Sequence, residues 1–348
     1  MNDNQSQNNQ LDPRIGSNVL SKSPKISVVI PAYNVAKYIG EALESVINQK
    51  FREYEIIVVN DGSPDTEQFE PAISKYLEEI VYIKQPNYGA GIARNTAIKQ
   101  ARGHIIAFLD GDDVWLPDFL TSQYVFLERN DYDMVYCDAT LFGIRSAYRK
   151  TFMETAPSAG EANFNSILDF RCNVITSGTI ARKQAIIDVG MFETERVRAH
   201  DFILWLKMAK NGAKIGYQKE QLLKYRVHID GLSGDSVSRV EREIDAFHRV
   251  RRLIELTDEQ AEIVEQRVAG LEADLAVEQG KAFLLSGDFR EAAVAFRVAN
   301  RQRKSLKLTA ITWLARVAPK MLLRHYKTHR SAEIVLVPNR GNRHNLSL

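Results

Sequence analysis

The chain has 348 residues, 45% of them hydrophobic and 26% charged, and a net charge of only +2. That balance excludes disordered and fibrous classes and leaves room for one large core or two smaller ones. Two cysteines, Cys137 and Cys172, make neither a disulfide framework nor a zinc-binding spacing, which fits a reducing cytoplasm.

Residues 1–24 are rich in Asn and Gln, lack the apolar core of a secretory signal and read as a disordered polar leader. Ile26-Ser27-Val28-Val29-Ile30 is an apolar run ending at Pro31, and Ile39, Leu43, Val46 and Ile47 then recur at helical spacing. Glu55 to Val59 predicts a second strand, closed by the turn-rich Asn60 to Asp65 and followed by a helical stretch to Tyr76 or Leu77. A third strand, around Ile80 to Ile83, leads through Asn87 to Gly91 into a helix carrying Arg94 and Asn95. A fourth, the run from His104 to Leu109, ends at Asp110-Gly111-Asp112-Asp113. Strands alternating with helices predict a doubly wound, parallel α/β sheet, in which ligands bind beyond the carboxyl ends of the strands. All four polar clusters follow strands, so they gather on one rim.

Another strand is expected at Met134 to Cys137, helix from Asp201 to Lys210 and an extended segment from Ile215 to Val227. Residues 141–173 have no clear period and are a candidate for part of an acceptor site. From Val237 the chain is almost wholly helical. The expected organisation is a leader (1–24), a sheet domain (25–235), a helical region (236–330) and a tail (331–348). Within the helical region Gly280 to Ala293 reads as helix, turn and helix, like half a tetratricopeptide-type repeat. Pro319 is expected to kink or break the basic, apolar stretch Ile311 to Arg324. No run reaches the roughly 18 to 20 apolar residues that span a bilayer. Residues 301–348 hold eleven Lys or Arg against the single Glu333, a local charge of +10 that leaves −8 for the rest. Such polarity points to an anionic surface, phospholipid or nucleic acid, with a solvated basic tail as the alternative.

Three carboxylates within four positions at a strand end repel one another and suit a hard divalent cation that also binds substrate phosphates. For that cluster alone a solvated acidic turn about Gly111 is the other reading. The ordered set Val28 to Asn34, Val59-Asn60-Asp61-Gly62-Ser63, Asn87-Tyr88-Gly89 with Ala93-Arg94-Asn95, Phe108 to Asp113, and His200-Asp201 with Tyr225-Arg226-Val227-His228 resembles the family 2 glycosyltransferases over about residues 25 to 232. The resemblance implies a GT-A fold, a Rossmann-like, mostly parallel central sheet flanked by helices, here with an α-helical C-terminal extension.

It further implies an inverting, metal-dependent transfer of one sugar from a nucleotide-sugar, expected to be UDP-linked, to a hydroxyl of a glycan or glycolipid. Pro31, Ala32, Tyr33 and Asn34 would lie along the nucleoside, with Asp61 accepting a hydrogen bond from the base. Asn87 and Gly89 would shape the next loop and Arg94 would stand near base and diphosphate. Asp110 would face the ribose, Asp112 would ligate Mn²⁺ or Mg²⁺ and Asp113 would hold the site, although spacing leaves open which of Asp112 and Asp113 touches the ion. His228 is a candidate metal or phosphate ligand. Asp201 is the candidate general base; without the resemblance it reads as a helix cap. His200 replaces the glutamate that usually precedes that base, and with Trp115, Ser177 and Gly178 it is a candidate on the acceptor side. Trp115 and Trp205 could each stack on a sugar face or fill the core.

A noncatalytic nucleotide-sugar scaffold and a sugar nucleotidyltransferase are the alternatives, but Pro31 to Asn34 is not the Gly-rich basic loop of the latter. The absence of Gln-x-x-Arg-Trp and of membrane spans disfavours a processive synthase. The expected setting is the cytoplasm, possible contact with an anionic membrane falling to the basic C-terminal region, and no nucleic acid.

Overall fold

The computed structural model describes residues 12–15, 23–143, 150–195, 199–227 and 236–330. In chain order the first unit contains β1 (Asp12–Ile15), β2 (Ile26–Ala32), α1 (Ile39–Ile47), β3 (Tyr54–Asp61), α2 (Thr66–Ile73), β4 (Ile80–Gln85), α3 (Ala90–Gln100), β5 (Ile105–Phe108), β6 (Val114–Trp115) and α4 (Phe119–Arg129). Then come β7 (Met134–Phe142), α5 (Phe152–Thr155), α6 (Phe164–Leu168), β8 (Thr179–Arg182), α7 (Lys183–Asp188), α8 (His200–Lys210) and β9 (Ile215–Arg226). Five helices follow: α9 (Ser236–Leu253), α10 (Asp258–Ser286), α11 (Phe289–Arg303), α12 (Leu306–Val317) and α13 (Pro319–Arg330).

Among the described residues nine strands form one sheet in the order β1-β4-β3-β2-β5-β8-β7-β9-β6. Its nucleus, β4-β3-β2-β5, is parallel, as the alternating pattern predicts. Every residue of β3 is buried, and β2 is buried apart from Pro31, the signature of strands covered on both faces. Ile39, Ala42, Leu43 and Val46 of α1 and Ala93, Ala97 and Ile98 of α3 are buried as well. Each large aliphatic side chain removed from water contributes roughly 1.5–3 kcal/mol. Pro31 sits in a central strand without loss: β2 pairs with β5 only as far as Val29, so the missing N–H falls where the ladder on that side has ended.

Beyond β5 the sheet turns antiparallel, through β5-β8, β8-β7 and β9-β6. Within the segment expected as leader, Asp12–Ile15 forms an edge strand antiparallel to β4. Residues 141–173, which show no periodicity, contain two helices of four and five residues. Capping boxes at Thr151 with Glu154 and at Asn163 with Ser166 start them, and Phe164, Ile167 and Leu168 of the second are buried.

The chain divides into two compact units that do not follow a single cut near residue 235. One holds residues up to Ala139, Val174–Leu204 and Asn211–Arg226; the other holds Thr140–Asn173, Trp205–Lys210 and the chain from Val227. In the second unit Arg267 Nε donates to Asp169 Oδ1 at 2.9 Å, Gln260 Nε2 to Asn165 Oδ1 at 3.0 Å, and Phe170 meets Phe247 edge to face at 5.5 Å. Long-range polar and aromatic pairs of this kind draw residues 140–173 to the helices.

The helical hairpin expected over Gly280 to Ala293 is formed by α10 and α11, with Gly287 ending α10 at φ 91. Gly280 is needed for another reason: a Cβ there would lie 2.6 Å from the Phe296 ring. Pro319 begins α13, where its missing N–H costs nothing, so the chain breaks between α12 and α13 rather than kinking. No described helix is long and apolar enough to cross a membrane.

Candidate functional site

Asp61 ends β3 and is 2% exposed. Its Oδ1 accepts from Gln85 Nε2 at 2.6 Å and from the Tyr88 amide at 2.9 Å, and its Oδ2 accepts from the Gly89 amide at 2.7 Å. Thr96 Oγ1 donates to Gln85 Oε1 at 2.7 Å, which extends the network into α3. Asp61 therefore holds the 87–89 loop, a duty its turn-like sequence did not announce. One lone pair on Oδ2 remains for a ligand N–H. Gly89 takes φ 96, and Gly62 packs so tightly that a Cβ would fall 2.5 Å from the Asn87 amide nitrogen, so both glycines are dictated by backbone geometry.

The Asn60–Asp65 turn also braces the loop after β2. Ser63 Oγ accepts the Asn34 amide at 2.6 Å, Asp65 Oδ2 accepts the Ala36 amide at 2.8 Å, and Asn60 Oδ1 accepts the Ser63 amide at 2.9 Å. Asn34 takes a left-handed φ of 56. Pro31 is half-buried and Ala32 buried at the strand end, while Tyr33 is 50% and Tyr88 37% exposed. The two loops thus present aromatic rings to solvent from a braced backbone.

Arg94, in α3, is 7% exposed and its Nη2 lies 2.5 Å from Asp110 Oδ1. Its guanidinium also faces the Phe192 ring at 5.5 Å. Arg94 Nε is buried and has no hydrogen-bond partner among the described residues. Asn95, beside it, exchanges two bonds with Phe192, Nδ2 to its carbonyl at 2.8 Å and Oδ1 from its amide at 3.0 Å, and so places that ring.

At the end of β5 the Asp113 amide closes a turn onto the Asp110 carbonyl at 3.1 Å. Burial raises the Asp110 carboxyl above its ordinary range; the Arg94 charge opposes this, and the charges of Asp112 and Asp201 add to the rise. Asp113, 1% exposed, is pushed well up by burial first and then by Asp112 and Asp110, against the opposing Ser177 hydroxyl and Arg226 amide. Asp112 is half-buried. Arg226 ties this loop from β9: its amide donates to Asp113 Oδ1 at 2.8 Å, its Nε to the Asp112 carbonyl at 2.7 Å, and its Nη2 pairs with Glu41 at 2.8 Å over the Tyr38 ring. Tyr225, on the same strand, has its phenol pushed up by burial and by Asp113, Asp112, Asp110 and Asp201, which puts it within electrostatic range of all four.

Asp201 lies in the first turn of α8, after Ala199 at φ 62. Its Oδ2 accepts Thr176 Oγ1 at 2.6 Å and its Oδ1 accepts the Phe202 amide at 2.9 Å, so it serves a helix-end amide and still keeps a lone pair on each oxygen. His200 is 8% exposed, and its ring meets α3 at Gly91, where a Cβ would fall 2.9 Å from Nδ1.

Three acceptor candidates have other duties. Trp115 is 2% exposed, stacks on Phe119 at 4.1 Å and donates Nε1–H to the Ser177 carbonyl at 2.7 Å, so it is a core residue and offers no face to a sugar. Trp205 is equally buried. Ser177 accepts the Asp110 amide at 3.1 Å and so braces the acidic turn. At Gly178 a Cβ would lie 2.7 Å from Ile175 Cγ2, which makes it a packing glycine. His228 lies outside the described residues. Arg226, Thr176 and Tyr225 were assigned no role from sequence. Only the Tyr225-Arg226 dipeptide within a motif could have flagged two of them.

Among the described residues no group of three or more His, Cys, Asp and Glu forms a metal cage. The oxygen donors of Asp110, Asp112 and Asp113 instead fit a hard cation that takes one or two carboxylates and completes its shell with phosphate and water. Burial first and like-charge crowding second raise Asp110 and Asp113, and a cation would relieve the crowding.

The family model for glycosyl transferase family 2 matches residues 27–190. An uncharacterized glycosyltransferase of Methanocaldococcus jannaschii is 30% identical over 212 residues, covering 59% of this chain and 71% of the relative. The Escherichia coli UDP-Glc:alpha-D-GlcNAc-diphosphoundecaprenol beta-1,3-glucosyltransferase WfaP is 28% identical over 235 residues, covering 65% of this chain and 89% of WfaP. Among solved structures, the Pyrobaculum calidifontis mannosyltransferase PcManGT, in complex with GDP-Man and Mn²⁺, superposes with a TM-score of 0.59 at 20% identity, covering 94% of this chain and 88% of that one, a likeness of fold. Sheet order, acidic strand end and kinship agree: the chain belongs to glycosyl transferase family 2, with the GT-A type of fold, and is a glycosyltransferase.

Proposed function

We propose that the protein transfers a single sugar, with inversion, from a UDP-linked donor to a hydroxyl of a glycan or lipid-linked acceptor. The position of Asp110 carries the reading: Arg94 pairs with it, and the charge of Asp201 reaches it. A cation suited to donor phosphates is therefore paired with Asp110, and a carboxylate suited to an acceptor proton lies within electrostatic reach of it.

Arg94 would stand near the diphosphate and lend it positive charge from beside Asp110. Asp61 would accept the base N–H on the free lone pair of Oδ2. Asp201, steadied by Thr176, would take the acceptor proton as the hydroxyl oxygen attacks the anomeric carbon from the face opposite the leaving nucleoside diphosphate. That single displacement inverts the anomeric centre and needs no covalent enzyme intermediate.

Mn²⁺ or Mg²⁺ would be held by Asp112, with Asp110 and Asp113 behind it and His228 as a further candidate; when bound it offsets charge developing on the leaving diphosphate. Asp112 is preferred over Asp113 as the direct ligand because Asp112 is half-buried whereas Asp113 is sealed, its Oδ1 already taken by the Arg226 amide. The donor and acceptor classes are supported by WfaP, whose name carries UDP-Glc and a diphosphoundecaprenol-linked sugar, and Mn²⁺ by PcManGT. The reading puts the protein at the cytoplasmic face of the membrane, in envelope polysaccharide assembly.

The test is Asp201→Asn, which keeps shape and the Thr176 bond but removes the base. Turnover should fall by about 10²–10⁴-fold with donor affinity retained. Near-normal turnover would exclude Asp201 as the base.

A further inference from the structure

Helix α12 is apolar on two opposite faces. Leu308, Ile311 and Ala315 are buried in the helical core together with Leu284, Phe296 and Leu322. On the other side Leu306, Ala310, Trp313 and Val317 fall at i, i+4, i+7 and i+11, one stripe along the helix. These side chains are turned to water: Leu306 is 89%, Trp313 62% and Val317 57% exposed, and Met321, early in α13, is 58% exposed. An amphipathic helix packed on a domain needs only its first face, so the second is unexplained by folding.

The surrounding charge is one-sided. Lys307 and Arg316 stand on the two shoulders of the stripe, and Lys320 and Arg324 follow on α13; all four are exposed. From Lys304 to Arg330 there are seven Lys or Arg and no Asp or Glu. A second copy of this chain is a poor occupant, since an isologous contact would set the same cations against each other with no acid to pair them. Nucleic acid would use the cations but leave the Leu-Trp-Val stripe without a partner. A bilayer carrying anionic headgroups uses both, taking the apolar stripe into the acyl boundary and the cations at phosphate level.

We propose that the outward stripe of α12, Leu306, Ala310, Trp313 and Val317 continued by Met321, docks on an anionic phospholipid surface, with Lys307, Arg316, Lys320 and Arg324 at headgroup level. This deepens the reading of a lipid-linked acceptor by bringing the enzyme to the surface where such an acceptor lies. It contributes nothing to sugar transfer itself.

The experiment uses the full chain with no donor or acceptor, so its failure leaves the transfer chemistry standing. Vesicles of phosphatidylcholine alone and with phosphatidylglycerol are sedimented at low and high salt, and tryptophan emission is followed. Trp115 and Trp205 are 2% exposed, so a change in emission reports on Trp313. The expected result is co-sedimentation with anionic vesicles only, weakened by salt, with a blue shift. Trp313→Gln should weaken binding about tenfold with unchanged melting temperature, because the ring is not part of the core. Lys320→Gln should weaken it about fivefold.

Any of four results would overturn the proposal. They are no sedimentation with anionic vesicles at low salt, binding indifferent to Trp313→Gln, binding to a short single-stranded RNA that competes fully with vesicles, or a concentration-dependent dimer abolished by Leu306→Gln.

Discussion

Asp61 and Asp113 are both carboxylates at strand ends, both about as buried as a side chain can be, and they live in opposite surroundings. Asp61 receives three N–H donors from Gln85, Tyr88 and Gly89. Asp113 receives the Arg226 amide, and burial first, then the charges of Asp112 and Asp110 in the same turn, push its protonation upward. The first carboxylate is satisfied by the protein and gives a loop its shape. The second is left electrostatically costly, a cost that the cation proposed for this turn would relieve. Preorganisation by hydrogen bonds and readiness by burial and unrelieved repulsion therefore occupy neighbouring stretches of one rim.

Substitutions at the two places should break the molecule differently. The largest effect is expected from Asp112→Asn: donor affinity with Mn²⁺, read by calorimetry, should fall about 100-fold or more to the level seen without metal, with the melting temperature unchanged or slightly raised. Unaltered metal-dependent affinity would remove Asp112 from the site. Next in size, Asp61→Ala strips three donors of their acceptor, each worth about 1–3 kcal/mol when buried and unsatisfied. Thermal unfolding should drop by several degrees, and donor binding should weaken equally with and without Mn²⁺. A loss confined to the Mn²⁺ condition would show that the two ends are not separate.

The smallest effect is a pH slope. Asp110 and Asp113 titrate above the ordinary carboxylate value in the folded state, so the native protein holds protons that the unfolded chain has released. Between the ordinary value and the raised ones, metal-free stability should fall as pH rises, and above them the loss is complete. Melting temperatures measured from about pH 4 to pH 8 should show that decline without metal and a flatter course with Mn²⁺. Asp113→Asn should remove much of the slope.

The parallel half of the sheet was legible because each strand is a continuous apolar run and each run ends in turn chemistry, as at Asn60 to Asp65. The acidic turn stood out because three carboxylates within four positions are expensive unless they meet something, whereas Arg94 was marked only by the family resemblance. What escaped was any role defined by a partner far along the chain. Thr176 is an unremarkable hydroxyl until α8 brings Asp201 to it, and Arg226 looks like a strand-end cation until it spans Asp112, Asp113 and Glu41. Trp115 shows the converse, a residue suited to sugar stacking that is instead sealed in the core, stacked on Phe119 with its N–H already taken. Residues 140–173 left no period because helices of four and five residues are too short to show one.

The turn that braces the rim also has a signature in time. The amides of Asn34, Ala36, Ser63, Tyr88 and Gly89 lie in loops outside the ladder, yet each donates to a side chain of the Asn60–Asp65 stretch. In hydrogen–deuterium exchange these five loop amides should be slow where loops are usually fast. On the proposed function, the region that would receive a nucleotide would then be one of the quieter parts of the backbone before any ligand arrives.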